Sequence, residues 1–166
     1  MPGPVRDPRA GELLTRYHER FSGSLELPVP VEAIAEDLLG LSVGESESLE
    51  VSGMLLAAER QVWLNATEVA PRRRFTLAHE VGHWVCQCLE GRTAPVDCRA
   101  DEVGVSEGRA LEREANVFAA ELLMPERLVR ERFSGSVADA SACFGVSEEA
   151  IHWRLFNLGL ADERPR

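Results

Sequence analysis

His79-Glu80-Val81-Gly82-His83 spells H-E-x-x-H inside a stretch, Arg74 to Leu89, that reads as one helix. Residues four apart stack on the same helical face. Both imidazoles can therefore reach one metal ion, with Glu80 one residue round, beside the open coordination position. Two histidines on zinc, with a glutamate as general base toward the attacking water, is hydrolytic chemistry. The pattern points to a metal-dependent hydrolase. The plainer alternative is a helix with two partly exposed histidines and a surface glutamate. Leu77, Val81, Trp84 and Val85 argue against it, because they make one side of the helix apolar and both histidines border that stripe. Gly82 in mid-helix costs about 1 kcal/mol relative to Ala. That cost is explained if a strand, a substrate or a ligand helix approaches the backbone there.

A catalytic zinc usually keeps three protein ligands and one open position. A second helix, about Arg109 to Leu123, offers Glu112 and Glu114. On a helical wheel Glu112 stacks with Asn116, Ala119 and Leu123, toward the apolar face, whereas Glu114 stacks with Phe118 and Glu121 on the more charged flank. A carboxylate aimed at packed surface needs a partner, and a metal ion is one, so Glu112 is the preferred third ligand. Asn116, one turn along, can orient a ligand by hydrogen bonding. Asn65 and Arg74 are further candidates for positioning a ligand or substrate. The alternative has both glutamates in solvent and a different ligand: His18, His152, Asp97, Asp101, Glu102, Cys86, Cys88 or Cys98. The cysteines lack a regular ligand spacing, and cysteine often serves as a small buried hydrophobe.

The elements that position these residues follow from periodicity. Residues 8–21 carry Leu13, Leu14, Tyr17 and Phe21 at helical spacing, and a second helix runs from Val31 to about Leu39. Glu45 to Glu50 reads as an acidic loop. Gly53 to Ala57 and Val62 to Asn65 flank a short polar turn and read as a hairpin. Its strand edge, Val62 to Asn65, would lie near the metal and could hold an extended substrate by strand addition. Residues 90–108 show no period and read as a long mobile loop. Pro125 begins a helix reaching Phe133, and two helices follow, Val137 to Phe144 and Ser147 to Leu158, with Ser147 as N-cap and Gly159 as stop. The expected fold is α+β and mostly helical: a small antiparallel sheet or hairpin beside the H-E-x-x-H helix, then a helix-turn-helix-like C-terminal element. The expected division is a core over 1–133 and a helical element over 134–166 packed on it.

Composition narrows the function. The chain has 166 residues, enough for one domain or a domain with a small appendage. No segment approaches transmembrane length, and Met1 to Asp7 lacks the apolar core of a signal peptide. Four cysteines without a secretory signal read as reduced thiols in a cytoplasm. The formal net charge of −10 opposes direct binding to DNA or to an anionic membrane. It leaves room for a partner that is itself a basic DNA-binding protein.

Three pieces of the chain together resemble the ImmA/IrrE family of zinc metallopeptidases: Arg74 to His83, preceded by a strand ending in Asn65; Glu112 to Pro125; and the tail Phe144-Gly145-Val146-Ser147 through Leu158-Gly159-Leu160. The resemblance implies a cytoplasmic peptidase that cuts and inactivates a helix-turn-helix repressor, derepressing a mobile element or a stress regulon. It puts zinc ligands at His79, His83 and Glu112 and the general base at Glu80. Relative to longer members the chain ends at Arg166, without room for the sensor-like domain some of them carry. The tail's would-be recognition helix begins Ser147-Glu148-Glu149, which repels phosphate, so it reads as a packing or partner-docking element. Arg72-Arg73-Arg74, the one basic cluster, can cap the helix, meet an acidic partner segment or simply be solvated. Tyr17 and His152 are the remaining candidates for an oxyanion donor. Two rivals stand beside the enzyme: a non-catalytic protein that sequesters its partner, and a direct DNA regulator acting through the tail. An intact Glu80 favours the enzyme, because a purely structural metal site needs no base.

Overall fold

The computed structural model describes residues 6–21, 26–92 and 105–165. Helix α1 spans Pro8–Phe21; α2 runs through Val31–Ala33 and continues with wider, π-type winding over Ile34–Leu38. Strands β1 (Ser42–Ser46), β2 (Gly53–Leu56) and β3 (Gln61–Asn65) follow. Helix α3 spans Ala70–His83 and continues as a π-wound turn, Trp84–Cys88. Helices α4 (Val105–Leu123), α5 (Glu126–Arg132), α6 (Val137–Phe144) and α7 (Glu148–Asn157) complete the order. The fold is mostly helical with one small sheet, as the sequence leads one to expect.

The sheet departs from the expected hairpin. Its strand order is β1-β3-β2. The hairpin is present, with Gly53 opposite Leu64 and Leu56 opposite Gln61 in antiparallel register. A third strand, β1, pairs in parallel with β3, from Ser42 beside Gln61 to Ser46 beside Asn65. The sheet is therefore mixed rather than antiparallel, and Glu45 lies in a strand instead of opening a loop. Serine, glycine and glutamate hide the strand pattern there. Gly44 is needed for a different reason: a Cβ on it would lie 2.7 Å from the Trp63 ring. The expected substrate edge also moves. β3 is the central strand, so Val62 to Asn65 has neighbours on both sides, and the open edge next to α3 belongs to β2. A Cβ on Gly53 of β2 would sit 2.5 Å from the Thr76 methyl of α3.

Two helices begin earlier than their patterns suggest. α3 starts at Ala70, with Pro71 in the first turn, where a missing N–H costs nothing. The three arginines thus lie within it. α4 starts at Val105, so residues 105–108 are helical rather than part of a loop; Gly108 weakens the pattern without breaking it. Residues 93–104 of the expected loop, with Asp97, Cys98, Asp101 and Glu102, lie outside the described residues.

One apolar cluster holds these elements together. It joins Leu13 of α1, Leu55 of β2, Val81 of α3 and Phe118 and Leu122 of α4 to Phe144, Ile151 and Leu155 of the last two helices. Burying each such side chain stabilises the fold by about 1.5–3 kcal/mol. Residues 134–166 thus share a continuous core with the rest. One half-buried and one buried guanidinium group fix that seam. Arg74 donates to the Gly145 carbonyl and to the Val29 carbonyl, each at 3.0 Å. Arg154 donates to the Met124 carbonyl at 3.0 Å and makes a close ion pair with Glu121. Gly145 closes α6 at φ 62°, and Ser147 caps α7 by accepting from the Ala150 N–H at 3.1 Å. The inward face of α7 is occupied by this packing, which leaves the acidic start, Glu148 and Glu149, exposed. No helix among the described residues is long and apolar enough to cross a membrane.

Candidate metal centre

The close approach of α3 and α4 builds the site. A Cβ on Gly82 would meet the Ala115 carbonyl oxygen at 3.0 Å and the Ala115 Cα at 3.1 Å. The approaching element is therefore the helix that carries Glu112. Where the two backbones touch, Glu112 lies across from the histidine face: its carboxylate oxygens are 3.1 Å from His79 Nε2 and 3.1 Å from His83 Nε2. The two Nε2 atoms are 3.0 Å apart. Glu112 is a partly exposed wall of this cluster, and His83 is buried within it.

The other ring nitrogens decide what these Nε2 atoms are. His79 Nδ1 lies 3.0 Å from Asn116 Oδ1. His83 Nδ1 lies 2.7 Å from Gln87 Oε1. Gln87 is fully buried, and its Nε2 donates to the Leu111 carbonyl at 2.9 Å. That bond fixes which end of the amide is oxygen. His83 Nδ1 must then donate, and its Nε2 is left with a lone pair when the ring is neutral. With His79 Nδ1 donating to Asn116 Oδ1 in the same way, two lone pairs and a carboxylate would face one point and repel each other unless a cation lay between them. The N, N, O donor set suits zinc. Tetrahedral zinc with bonds of about 2.0–2.1 Å separates its ligands by roughly 3.3 Å, near the spacings here. His79, His83 and Glu112 can hold a metal ion.

Glu80 is buried between the two histidines in sequence and faces the same centre electrostatically. Burial pushes its carboxyl up, His79 and His83 pull it down, and Glu112 adds to the rise. With no metal bound, hydrogen bonds from the two imidazoles in their protonated forms would hold Glu112 well below the usual carboxylate range, against the opposing effect of its burial. Glu114, the alternative ligand, is used elsewhere. Burial would raise its carboxyl, but Arg92 and Arg9 hold it below the ordinary value. Arg9 reaches it at 2.8 Å and Arg92 at 2.8 and 3.0 Å. Two guanidinium groups leave it no charge to spend on a metal.

The remaining candidates divide. Asn116 lies against His79, in a position to orient that ring. Asn65 bridges two loops, donating to the Leu49 carbonyl between β1 and β2 at 3.0 Å and accepting from Thr67 after β3. Arg74 ties α3 to the C-terminal helices, as described above. Neither Asn65 nor Arg74 is in the ligand cluster. Cys86 is buried, with its thiol pushed up to about 12 by burial and by Asp7, which its sulfur approaches at 3.6 Å. Tyr17 packs on Phe21, with ring centroids 4.8 Å apart. Gln87 was not singled out from the sequence. The signal was there, since it follows His83 by four residues on the same face.

A family model described as Peptidase_M78, IrrE N-terminal-like domain, matches residues 34–156, which include every ligand of the cluster. The chain belongs to this peptidase family. A Mycobacterium tuberculosis transcriptional regulator of known structure has the same fold, with a TM-score of 0.67 at 19% identity, over 97% of this chain and 49% of that one. The chain thus spans about half the length of that regulator, and the likeness concerns the fold. No curated protein gives a significant match. The match takes in all three strands, and the tail as far as Phe156.

Proposed function

We propose that the chain is a cytoplasmic, zinc-dependent endopeptidase that cuts and so inactivates a helix-turn-helix transcriptional repressor. One observation carries the hydrolytic reading. His79, His83 and Glu112 converge within 3.1 Å of one another while Glu80 stays outside the ligand set, buried at the next helical position. A structural metal site has no use for that fourth group. Family membership supports a peptidase, and the resemblance of the motifs supplies the repressor as substrate.

Zinc, when bound, supplies a Lewis acid that polarises the scissile carbonyl and makes water a better nucleophile near neutral pH. His79, His83 and Glu112 would hold it, and Asn116 and Gln87 would orient the two imidazoles toward it. Glu80 takes a proton from the attacking water and returns it to the leaving amine, a role for which burial helps by raising the carboxyl toward working pH. The open edge of β2, Gly53–Leu56, can hold an extended segment of substrate by backbone hydrogen bonds. The acidic chain is not expected to bind nucleic acid itself.

The test is incubation of the zinc-loaded protein with the helix-turn-helix regulator encoded beside it, with and without chelator, followed by mass spectrometry of the fragments. Two fragments that vanish with chelator are expected. A repressor that loses DNA binding while staying intact would replace cleavage by sequestration.

A further inference from the structure

A groove of about 1200 Å³ runs along α4 past Glu112, the one residue of the metal cluster that lines it, to the C-terminal helix. One face of α4 forms its floor: Arg109, Glu112, Arg113, Asn116, Val117 and Ala120 recur at helical spacing. Phe75 of α3 and Trp153 of α7 form the walls. The groove has two halves. The half toward α7 has an apolar patch of Val117, Ala120, Phe75 and Trp153, bordered by Glu149, Arg154 and Asn157 of α7. The half at the metal end carries Arg109 and Arg113 beside the ligand Glu112. Both arginines are exposed, and neither makes an ion pair among the described residues. Arg72 stands on the opposite rim with only a 3.9 Å contact to Glu68. It also reaches Ser52 Oγ at 3.5 Å, so this wall adjoins the start of the open β2 edge.

These charges run against the rest of the molecule. In a chain of net charge −10, three lightly engaged arginines collect at one groove beside the metal ligands. Within the same groove Arg154 is tied to Glu121, and elsewhere Arg9, Arg92 and Arg130 are tied to carboxylates, whereas Arg16, Arg20 and Arg132 are exposed with no ion pair among the described residues. Glu149 is the one acidic residue on the wall other than the ligand. We infer that the groove selects the segment to be cut: a stretch of substrate with a large apolar side chain for the Phe75–Trp153 half and an acidic side chain for Arg109 and Arg113. This rests on the peptidase reading and adds the local chemistry of its substrate. The substrate's body can still be basic; only the segment entering the groove is acidic and apolar.

Two twelve-residue peptides separate this inference from the reading beneath it. Both carry Leu and Phe at the same places; one has Asp and Glu between them, the other Lys. Binding to the zinc-loaded protein is read from Trp153 fluorescence, with Trp153→Phe as the control for Trp63 and Trp84, and cleavage is read by mass spectrometry. The acidic peptide should bind about three- to tenfold more tightly at low salt, as expected for two exposed ion pairs. An Arg109→Glu, Arg113→Glu double variant should reverse the order while keeping the wild-type melting temperature and metal content. Binding with the expected preference but no cleavage of any peptide or repressor would sink the peptidase reading and leave the groove assignment standing. Cleavage without a charge preference, or a double variant that keeps the acidic preference, would overturn the groove assignment alone. Failure of both peptides to bind would overturn it as well.

Discussion

Glu112 and Glu114 lie two positions apart on one helix and have unrelated fates. Glu112 faces two imidazoles; Glu114 is held by Arg9 and Arg92. The expected consequence is asymmetric. Glu112→Gln should lose stoichiometric tight zinc, and Glu114→Gln should keep it while loosening the attachment of α1. Metal analysis of the two purified variants checks this, and zinc retained by Glu112→Gln but lost by Glu114→Gln would refute the ligand assignment. Gln87 allows a finer test. Replacing it with Leu removes the acceptor for His83 Nδ1 and leaves the Leu111 carbonyl without its donor. Zinc affinity should fall about 10–100-fold, as is typical when a partner that orients a metal ligand is removed. An unchanged affinity in a competition titration would show that packing alone orients the ring. The ligands were legible in the sequence because a spacing of four is a geometric statement about a helix. Glu112 was legible from its helical face. Gln87 was missed because a buried glutamine gives no pattern of its own; it becomes significant only beside the Leu111 carbonyl, across a contact the sequence does not express.

At the scale of elements, the contact between α3 and α4 decides whether a third ligand exists. Gly82 is where it is made. An extra methyl there meets the Ala115 backbone, which cannot swing aside as a flexible side chain would. Gly82→Ala should therefore destabilise the fold by about 1–3 kcal/mol, the usual cost of overpacking, even though alanine is the better helix former. It should also weaken zinc binding by moving Glu112 away from the histidines. A melting temperature and zinc affinity equal to wild type would mean that the helices are not held at this point. Gly82 announced such an approach in the sequence, without saying which element came close. The hairpin was likewise readable, whereas β1 was not, because parallel pairing with a distant strand leaves little trace in Ser42-Val43-Gly44-Glu45-Ser46. The early starts of α3 and α4 were hidden by a proline, a basic run and a glycine, each of which a helix tolerates in these positions.

For the whole molecule, the proposed function gives charge two roles, in encounter with the repressor and in selection of the segment to be cut. A surface of net charge −10 should speed association with a basic repressor and slow it as salt rises. Measured across a salt series, repressor association should fall with ionic strength while operator DNA shows no specific affinity for this chain. Tight, sequence-specific binding of operator by the chain alone would overturn the account of the tail, in which α7 spends its inward face on the core and presents Glu148 and Glu149 outward. Association indifferent to salt would remove only the electrostatic part. The central claim is that the metal cluster and Glu80 together hydrolyse a peptide bond. Its most direct test is the cleavage rate of the repressor by zinc-loaded Glu80→Gln against zinc-loaded wild type, with metal content measured on the same samples. The variant should keep its fold and zinc and lose about 10²–10⁴-fold in rate, the usual cost of removing a general base. Near-normal cleavage by a zinc-replete Glu80→Gln protein would contradict the mechanism.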